Sequence, residues 1–194
     1  MATSAPDVVL RRPRPSDRAA FLALRRRNRR HLAATAATPP DAPASRAAAF
    51  DFDALLRRAR SRTTRLFFVC RVRDGAIIGQ VAVMEIVRGA LQSAYLGYWI
   101  DRAHEGRGLM RQAVVLALDE AFGRLGLHRV EANVQPSNRR SAELLRRLGF
   151  RREGVARDYL FVGGRWRDHV HWALLAEDWR RTRGAFHDRR SRRI

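Results

Sequence analysis

The sequence predicts an α/β fold: a mixed, mostly antiparallel twisted sheet of about seven strands, flanked by about four helices, with one parallel strand pair at its centre. Three observations carry this. Runs with strand periodicity and runs with helical periodicity follow one another in the order ββ, β–α–β–α, ββ, so the middle of the chain reads as a parallel crossover and its end as a hairpin. Asp74-Gly75 and Gly163-Gly164 stand between strand-like runs as two-residue turn signals. The 194 residues, 46% of them hydrophobic, suffice for one substantial core, and no internal repeat or second domain is visible.

Val8-Val9-Leu10 reads as a short strand ended by Pro13 and Pro15. Ser16 or Asp17 can cap a helix through Phe21, Leu22 and Leu24 toward Arg30. His31 to Ser45, rich in Ala, Thr and Pro, is expected to be a loop with at most broken helical turns. A second helix covers Phe50 to Ser61. Arg65 to Val72, Ala76 to Val87 and Leu91 to Asp101 are three strands, the last carrying Tyr95, Tyr98 and Trp99. Leu109 to Leu125 sets Met110, Ala113, Val114, Ala117 and Leu118 on one face of a strong helix. Arg129 to Gln135 alternates as a strand. Asn138 to Leu148 is a helix with Gly149 as its C-cap.

Arg157 to Val162 and Arg165 to Leu174 form the final hairpin. A two-residue turn at Gly163-Gly164 puts Val162 opposite Arg165, Phe161 opposite Trp166, Leu160 opposite Arg167, Tyr159 opposite Asp168 and Asp158 opposite His169. The face with Tyr159, Phe161, Trp166 and Val170 is then expected on the core, leaving Asp158 on an accessible polar surface. Residues 1–179 make one domain, and 180–194 are expected to be a flexible basic tail.

Charge is the most unusual compositional feature. The net charge is +20 at pH 7, and all 39 basic residues are Arg. A chain without lysine cannot use Schiff-base chemistry. Seven Arg against one Asp give residues 180–194 a net +6, so the remaining chain still holds about +14. Such a surface either docks on RNA-rich particles and binds a phosphorylated cofactor, or reflects an Arg-rich genome writing Arg on every solvated face. Cys70 is the single cysteine and cannot form an internal disulfide. Met1 to Asp7 lacks the apolar core of a signal peptide, and no segment approaches the length of a membrane span. A cytoplasmic protein without membrane contact is expected, as a monomer or homodimer.

The sharpest site signal is the strand–turn–helix unit from Leu96 to Leu118. Gly106 and Gly108 fall where the strand has ended and the helix begins. Backbone N–H groups at a helix start are unpaired and lie at the positive end of its dipole, so they can cradle a pyrophosphate. Glycines allow close approach, and Arg107 and Arg111 add charge. A Walker loop is excluded because no Gly-Lys-Ser/Thr follows, and the dinucleotide fingerprint lacks its third glycine. An ordinary tight turn is the competing reading.

The stretch Glu105-Gly106-Arg107-Gly108-Leu109-Met110 resembles the core motif of the GNAT acetyltransferase superfamily, Gln/Arg-x-x-Gly-x-Gly/Ala. A second motif follows at the family's distance: Asn138-Arg139-Arg140-Ser141, then Leu144, Leu145, Leu148, Gly149 and Phe150. Val87-Arg88-Gly89, Tyr95-Leu96-Gly97-Tyr98, His128 through Pro136, and Asp158 through Val170 resemble ribosomal-protein-alanine N-acetyltransferases of the RimJ/RimL type. The likeness runs from about Arg65 to Trp179 and is thin before it. It implies a GNAT-type sheet whose central parallel pair is splayed, with acetyl-CoA as co-substrate and no metal. The implied acceptor is a protein N-terminal α-amino group, such as a ribosomal N-terminal alanine; a polyamine or aminoglycoside, or an RNA-binding protein with a vestigial acetyl-CoA site, are the rival readings. Glu105 departs from the usual Gln or Arg, placing a carboxylate beside the expected pyrophosphate.

Acetyl transfer to an amine requires a neutral amine, an oxyanion donor, a proton for the leaving thiolate and a scaffold for both substrates. The resemblance puts the pantetheine arm along the splayed strand near Trp99 and Ile100, with a backbone N–H there as oxyanion donor. It puts the pyrophosphate on residues 106–111 and a pantetheine amide on Asn138. Asp158 is the first candidate base, Glu131 the alternative, and Ser141 the candidate acid. For each, an ordinary structural role competes: an ion-paired surface carboxylate, an exposed strand residue, a helix serine bonded to its own backbone. His169-x-His171 has a zinc-like spacing but no third ligand nearby in sequence, and Cys70 alternates with Phe68 and Val72 as a core residue, so direct transfer is expected.

Overall fold

The computed structural model describes residues 6–41 and 50–188. Its strands are β1 (Val8–Arg11), β2 (Arg65–Arg71), β3 (Ile77–Val87), β4 (Ser93–Ile100), β5 (Arg129–Val134), β6 (Arg151–Val162) and β7 (Arg165–Leu175). They form one seven-stranded sheet in the order β1-β2-β3-β4-β5-β7-β6, in which only β4–β5 is parallel. The helices among the described residues are α1 (Arg18–Arg27), α2 (Arg29–Ala33), α3 (Phe52–Arg60), α4 (Leu109–Asp119), α5 (Arg139–Arg147) and α6 (Ala176–Asp188). Two of these six add to the four that periodicity announces. Helix α2 is one turn at the start of the Ala/Thr/Pro stretch, whose residues 42–45 lie outside the described residues. Helix α6 carries the chain into the expected tail, and residues 189–194 also lie outside. No helix of the described residues is long and apolar enough to cross a membrane.

Both faces of the sheet are covered, unequally. Helices α4 and α5 bury Val114, Leu118, Leu145 and Leu148 against Val81, Val83, Leu96, Val130 and Leu174. Trp179 of α6 closes the edge of this layer at 1% exposure, its ring stacked on Phe186 at 5.5 Å. On the other face, α1 and α3 cover β2–β4 through Phe21, Leu24, Phe52 and Leu55, with Phe21 stacked on Phe68 at 4.4 Å. A buried Phe of this kind contributes about 2–3 kcal/mol of burial free energy. Cys70 belongs to this cluster, and burial pushes its thiol up, away from nucleophilic use.

The final hairpin begins as expected and then departs. Val162–Arg165, Phe161–Trp166 and Leu160–Arg167 are paired, but Ala156, not Asp158, faces His169. Residues 157–159 bulge out of the ladder with Asp158 at φ +46°, a left-handed conformation that aspartate tolerates better than most residues. The Asp158 N–H donates to Asp168 Oδ1 at 2.9 Å and closes the bulge. The expected core face is corrected with it. Trp166 is 51% exposed, whereas His169 on the opposite face is buried. Strand β6 also begins at Arg151, well before Arg157; its polar start hides an edge strand whose outward side chains meet water.

Candidate active site

Strands β4 and β5 pair only at Ser93–Arg129, Ala94–Val130 and Tyr95–Glu131, and then part. Beyond Tyr95, β4 still pairs with β3 but has no strand on its β5 side. The Asp101 N–H donates to Ile78 O at 2.7 Å, which sets the alternation of the β3–β4 ladder. The peptide N–H groups of Gly97 and Trp99 therefore turn to β3, that of Leu96 makes the last rung to β5, and those of Tyr98 and Ile100 turn into the notch. The Trp99 ring packs with the α1–α3 cluster, 5.9 Å from Phe21. Gly79 makes this geometry possible: a Cβ there would lie 2.5 Å from Trp99 O.

The notch opens onto the loop before α4. Asp101, its side chain 5% exposed, holds the loop's first turn by accepting from Ala103 N at 3.2 Å. It also accepts from Arg27 Nε and from Asn28 Nδ2, each at 3.0 Å, while Asn28 Oδ1 accepts from Arg102 N at 3.0 Å. Burial pushes the Asp101 carboxyl up, but Arg27, Asn28 and the Ala103 amide outweigh it and hold it below its usual range. Gly106 and Gly108 have φ +72° and +74°, Gly108 is the N-cap of α4, and a Cβ on either would project into open space. Arg107 is exposed beside them. Met110 is buried in the core and Leu109 packs against it, so these two can offer a ligand only backbone. Glu105, the departure from the family motif, pairs with Arg140 of α5 and with His31 of α2, the latter at 3.2 Å. Its charge is thereby engaged by the Arg140 guanidinium and the His31 ring instead of standing alone at the glycines.

Across the notch, Asn138 is the N-cap of α5, its Oδ1 accepting from Ser141 N at 3.2 Å. Ser141 Oγ lies 2.7 Å from Tyr98 Oη. Burial pushes the Tyr98 phenol well up, with the Ser141 contact opposing, so it keeps its proton at neutral pH. This partner of Ser141 escaped the motif reading, although the alternation Leu96, Tyr98, Ile100 places it on the side of the notch faced by α5. On the opposite face, Glu131 accepts from Arg129 Nε at 3.0 Å and from Ser93 Oγ at 3.2 Å. Asp158 stands exposed on the β6 bulge. The structure thus groups residues 99–111, Asn138 and Ser141 around one notch, with Glu131 at its closed end and Asp158 apart from them on the outermost strand.

Residues 7–151 match the acetyltransferase (GNAT) domain family. The [ribosomal protein uS5]-alanine N-acetyltransferase of Escherichia coli is 46% identical over 103 residues, 53% of this chain and 53% of that protein. The spermidine N(1)-acetyltransferase of Vibrio cholerae is 32% identical over 108 residues, 56% of this chain and 62% of that protein. The chain thus spans less than two thirds of either curated relative. The solved structure of Mycobacterium smegmatis RimJ in complex with CoA-disulfide superposes with a TM-score of 0.81 at 32% identity, over 93% of this chain and 90% of that one.

Proposed function

The chain belongs to the GNAT acetyltransferase family, and from that premise we propose that it transfers an acetyl group from acetyl-CoA directly to the N-terminal α-amino group of a protein, such as a ribosomal protein beginning with alanine. The observation that carries this reading is the notch between β4 and β5, which opens at the left-handed glycines of the α4 loop. Acetyl-CoA supplies the activated thioester. The amides at the start of α4, with Arg107 and Arg111, suit its pyrophosphate. The unpaired edge of β4 at Tyr98–Ile100 suits its amide-bearing arm, and the Ile100 N–H is aimed to donate to an oxyanion. Asn138 flanks that arm, and Ser141, backed by the high-pKa phenol of Tyr98, donates a proton to the leaving thiolate.

The acceptor assignment rests on the relatives' names and on elementary acid–base arithmetic. A free α-amine with pKa near 7.7–8.0 is roughly 10–20% neutral at pH 7, whereas a lysine amine is neutral at below roughly 0.1%. A weak or water-relayed base suffices for the former, and Glu131 and Asp158 are its candidate carboxylates. A polyamine would seek a negative pocket, yet Glu131 is already neutralised by Arg129 and the chain carries +20. Intact-mass analysis of acetyl-CoA turnover against N-terminal peptides, with spermidine alongside, tests the reading. Acetylation of Ala-initiated peptides at the α-amine is expected. Turnover of spermidine alone would transfer the assignment to small amines. If acetyl-CoA failed to raise the melting temperature while RNA did, the chain would be a binding protein.

A further inference from the structure

Neither candidate base is built as a proton acceptor: Glu131, on the face of the notch away from Ser141, is tied to Arg129 and Ser93, and Asp158 stands out on the edge bulge. A different cluster occupies that face where the strands part. Asn133 lies two residues beyond Glu131, the last β5 residue paired with β4, and on the same face of the sheet. Across the β5–β7 ladder its partner is His171. The β6 bulge carries Tyr159 over both. Its ring stands edge-on to His171 at 4.9 Å, and its hydroxyl accepts from Asn133 Nδ2 at 3.3 Å. The same hydroxyl, with burial and the nearby Glu131 and Glu85 charges, pushes the Tyr95 phenol up to about 12.

Two polar atoms in this cluster, Asn133 Oδ1 and His171 Nε2, are buried without a protein partner. Leaving one such group unsatisfied costs about 1–3 kcal/mol, so two at facing register positions are unexpected in a cluster that serves packing alone. Both atoms can accept a hydrogen bond, and a primary amine donates them. Around them the chain 34–38 forms a rim through Gln135 Nε2–Ala34 O at 3.0 Å and the Ala37–Val162 bridge. An open groove of about 180 Å³ along β6 reaches His171 from outside. The Tyr98–Ser141 pair lies on the opposite face of the notch. An amine on one side and a thioester on the other would meet between the strands.

Resting on the acetyltransferase reading above, we propose that Asn133 and His171 are the acceptor-amine subsite: Asn133 Oδ1 accepts a hydrogen bond from the acceptor nitrogen, and His171 Nε2 takes the proton that nitrogen loses. As the C–N bond forms and the C–S bond breaks, the thiolate leaves with the bonding pair and receives its proton from Ser141, which regains one from solvent. The proton on His171 then passes to solvent. The groups facing His171 are Tyr159 and Glu153 from β6, His169 from its own strand, and Asn133 from β5. Glu153 itself is held by Arg129, so the imidazole is not locked in a tight ion pair.

The test uses the full chain, acetyl-CoA and whichever amine the unaltered protein acetylates best. His171→Gln is expected to lower kcat about 100-fold at pH 7, to regain much of it about one unit above the acceptor amine's own pKa (about pH 9 for an α-amine), where the amine is neutral unaided, and to leave acetyl-CoA affinity within about twofold. Asn133→Leu is expected to raise the acceptor KM about tenfold with a smaller change in kcat. Melting temperature and acetyl-CoA calorimetry report whether each variant is folded. His171→Gln with kcat within twofold of the unaltered protein, or an equal loss at every pH in a folded variant that binds acetyl-CoA, would overturn the proposal alone. Failure of the unaltered protein to acetylate any amine would overturn the acetyltransferase reading, and this one with it.

Discussion

At Gly108 the backbone has φ +74° and a side chain would point into open space. Any L-residue there costs about 1 kcal/mol of strain, so a binding defect must be separated from the strain itself. Gly108→Gln and Gly108→Glu share the strain and the length but differ in charge. Calorimetry is expected to show acetyl-CoA binding surviving in the first, weakened less than about tenfold, and lost in the second, with both folded. Equal affinities would remove the phosphate from this loop. Tyr98 carries a second prediction. Tyr98→Phe removes the hydroxyl 2.7 Å from Ser141 Oγ while keeping the buried ring. It should lower kcat about 10-fold or more and leave acetyl-CoA affinity nearly unchanged. The glycines, Asn138 and Ser141 were legible as candidates because residue type and spacing alone single them out. Tyr98, Asn133 and His171 were not. Their meaning arises only when three strands far apart in sequence lie side by side.

The connecting elements show how local signals are overridden. The Gly163-Gly164 turn fixes three pairs of the last hairpin as its type requires, and the register then slips at a left-handed Asp158 that no glycine announces. Helix α4 gives way at Glu120–Arg124 to a wider π turn, which contains Gly123 and which apolar periodicity cannot distinguish from more α-helix. The α1–α2 junction, thin in family likeness, anchors the glycine loop before α4 through Asn28, Arg27 and Asp101. Since the Asp101 carboxyl is held low in the folded chain, its stabilisation is fully present above the unfolded value near 3.9 and is lost as pH falls through the folded one. Asp101→Asn should therefore cost about 1–3 kcal/mol at pH 7. Thermal melts at descending pH are expected to show its gap to the unaltered protein narrowing below about pH 4. A constant gap would mean that the carboxylate charge is not what holds the loop.

For the molecule as a whole, the charge of +20 is spread over a fold whose C-terminal helix is part of the core, because Phe186 stacks on buried Trp179. A truncation meant to test the basic tail must stop after Asp188. Removing residues 189–194 deletes four Arg, and if these contact phosphates the log–log salt dependence of ribosome co-sedimentation should flatten by about 3 units. Turnover on free peptides should hardly change, and an unaltered salt slope would assign the tail no contact with RNA. The sheet itself is stitched between β4 and β5 by three residue pairs, beyond which successive β4 peptides turn alternately to β3 and to the notch. In deuterated solvent this becomes a parity pattern. The amides of Gly97 and Trp99, bonded to β3, and of Leu96, bonded to β5, should exchange slowly, while those of Tyr98 and Ile100 exchange fast. An acyl donor laid along that edge would slow the latter pair alone, so isotope uptake read residue by residue would show which rungs it supplies.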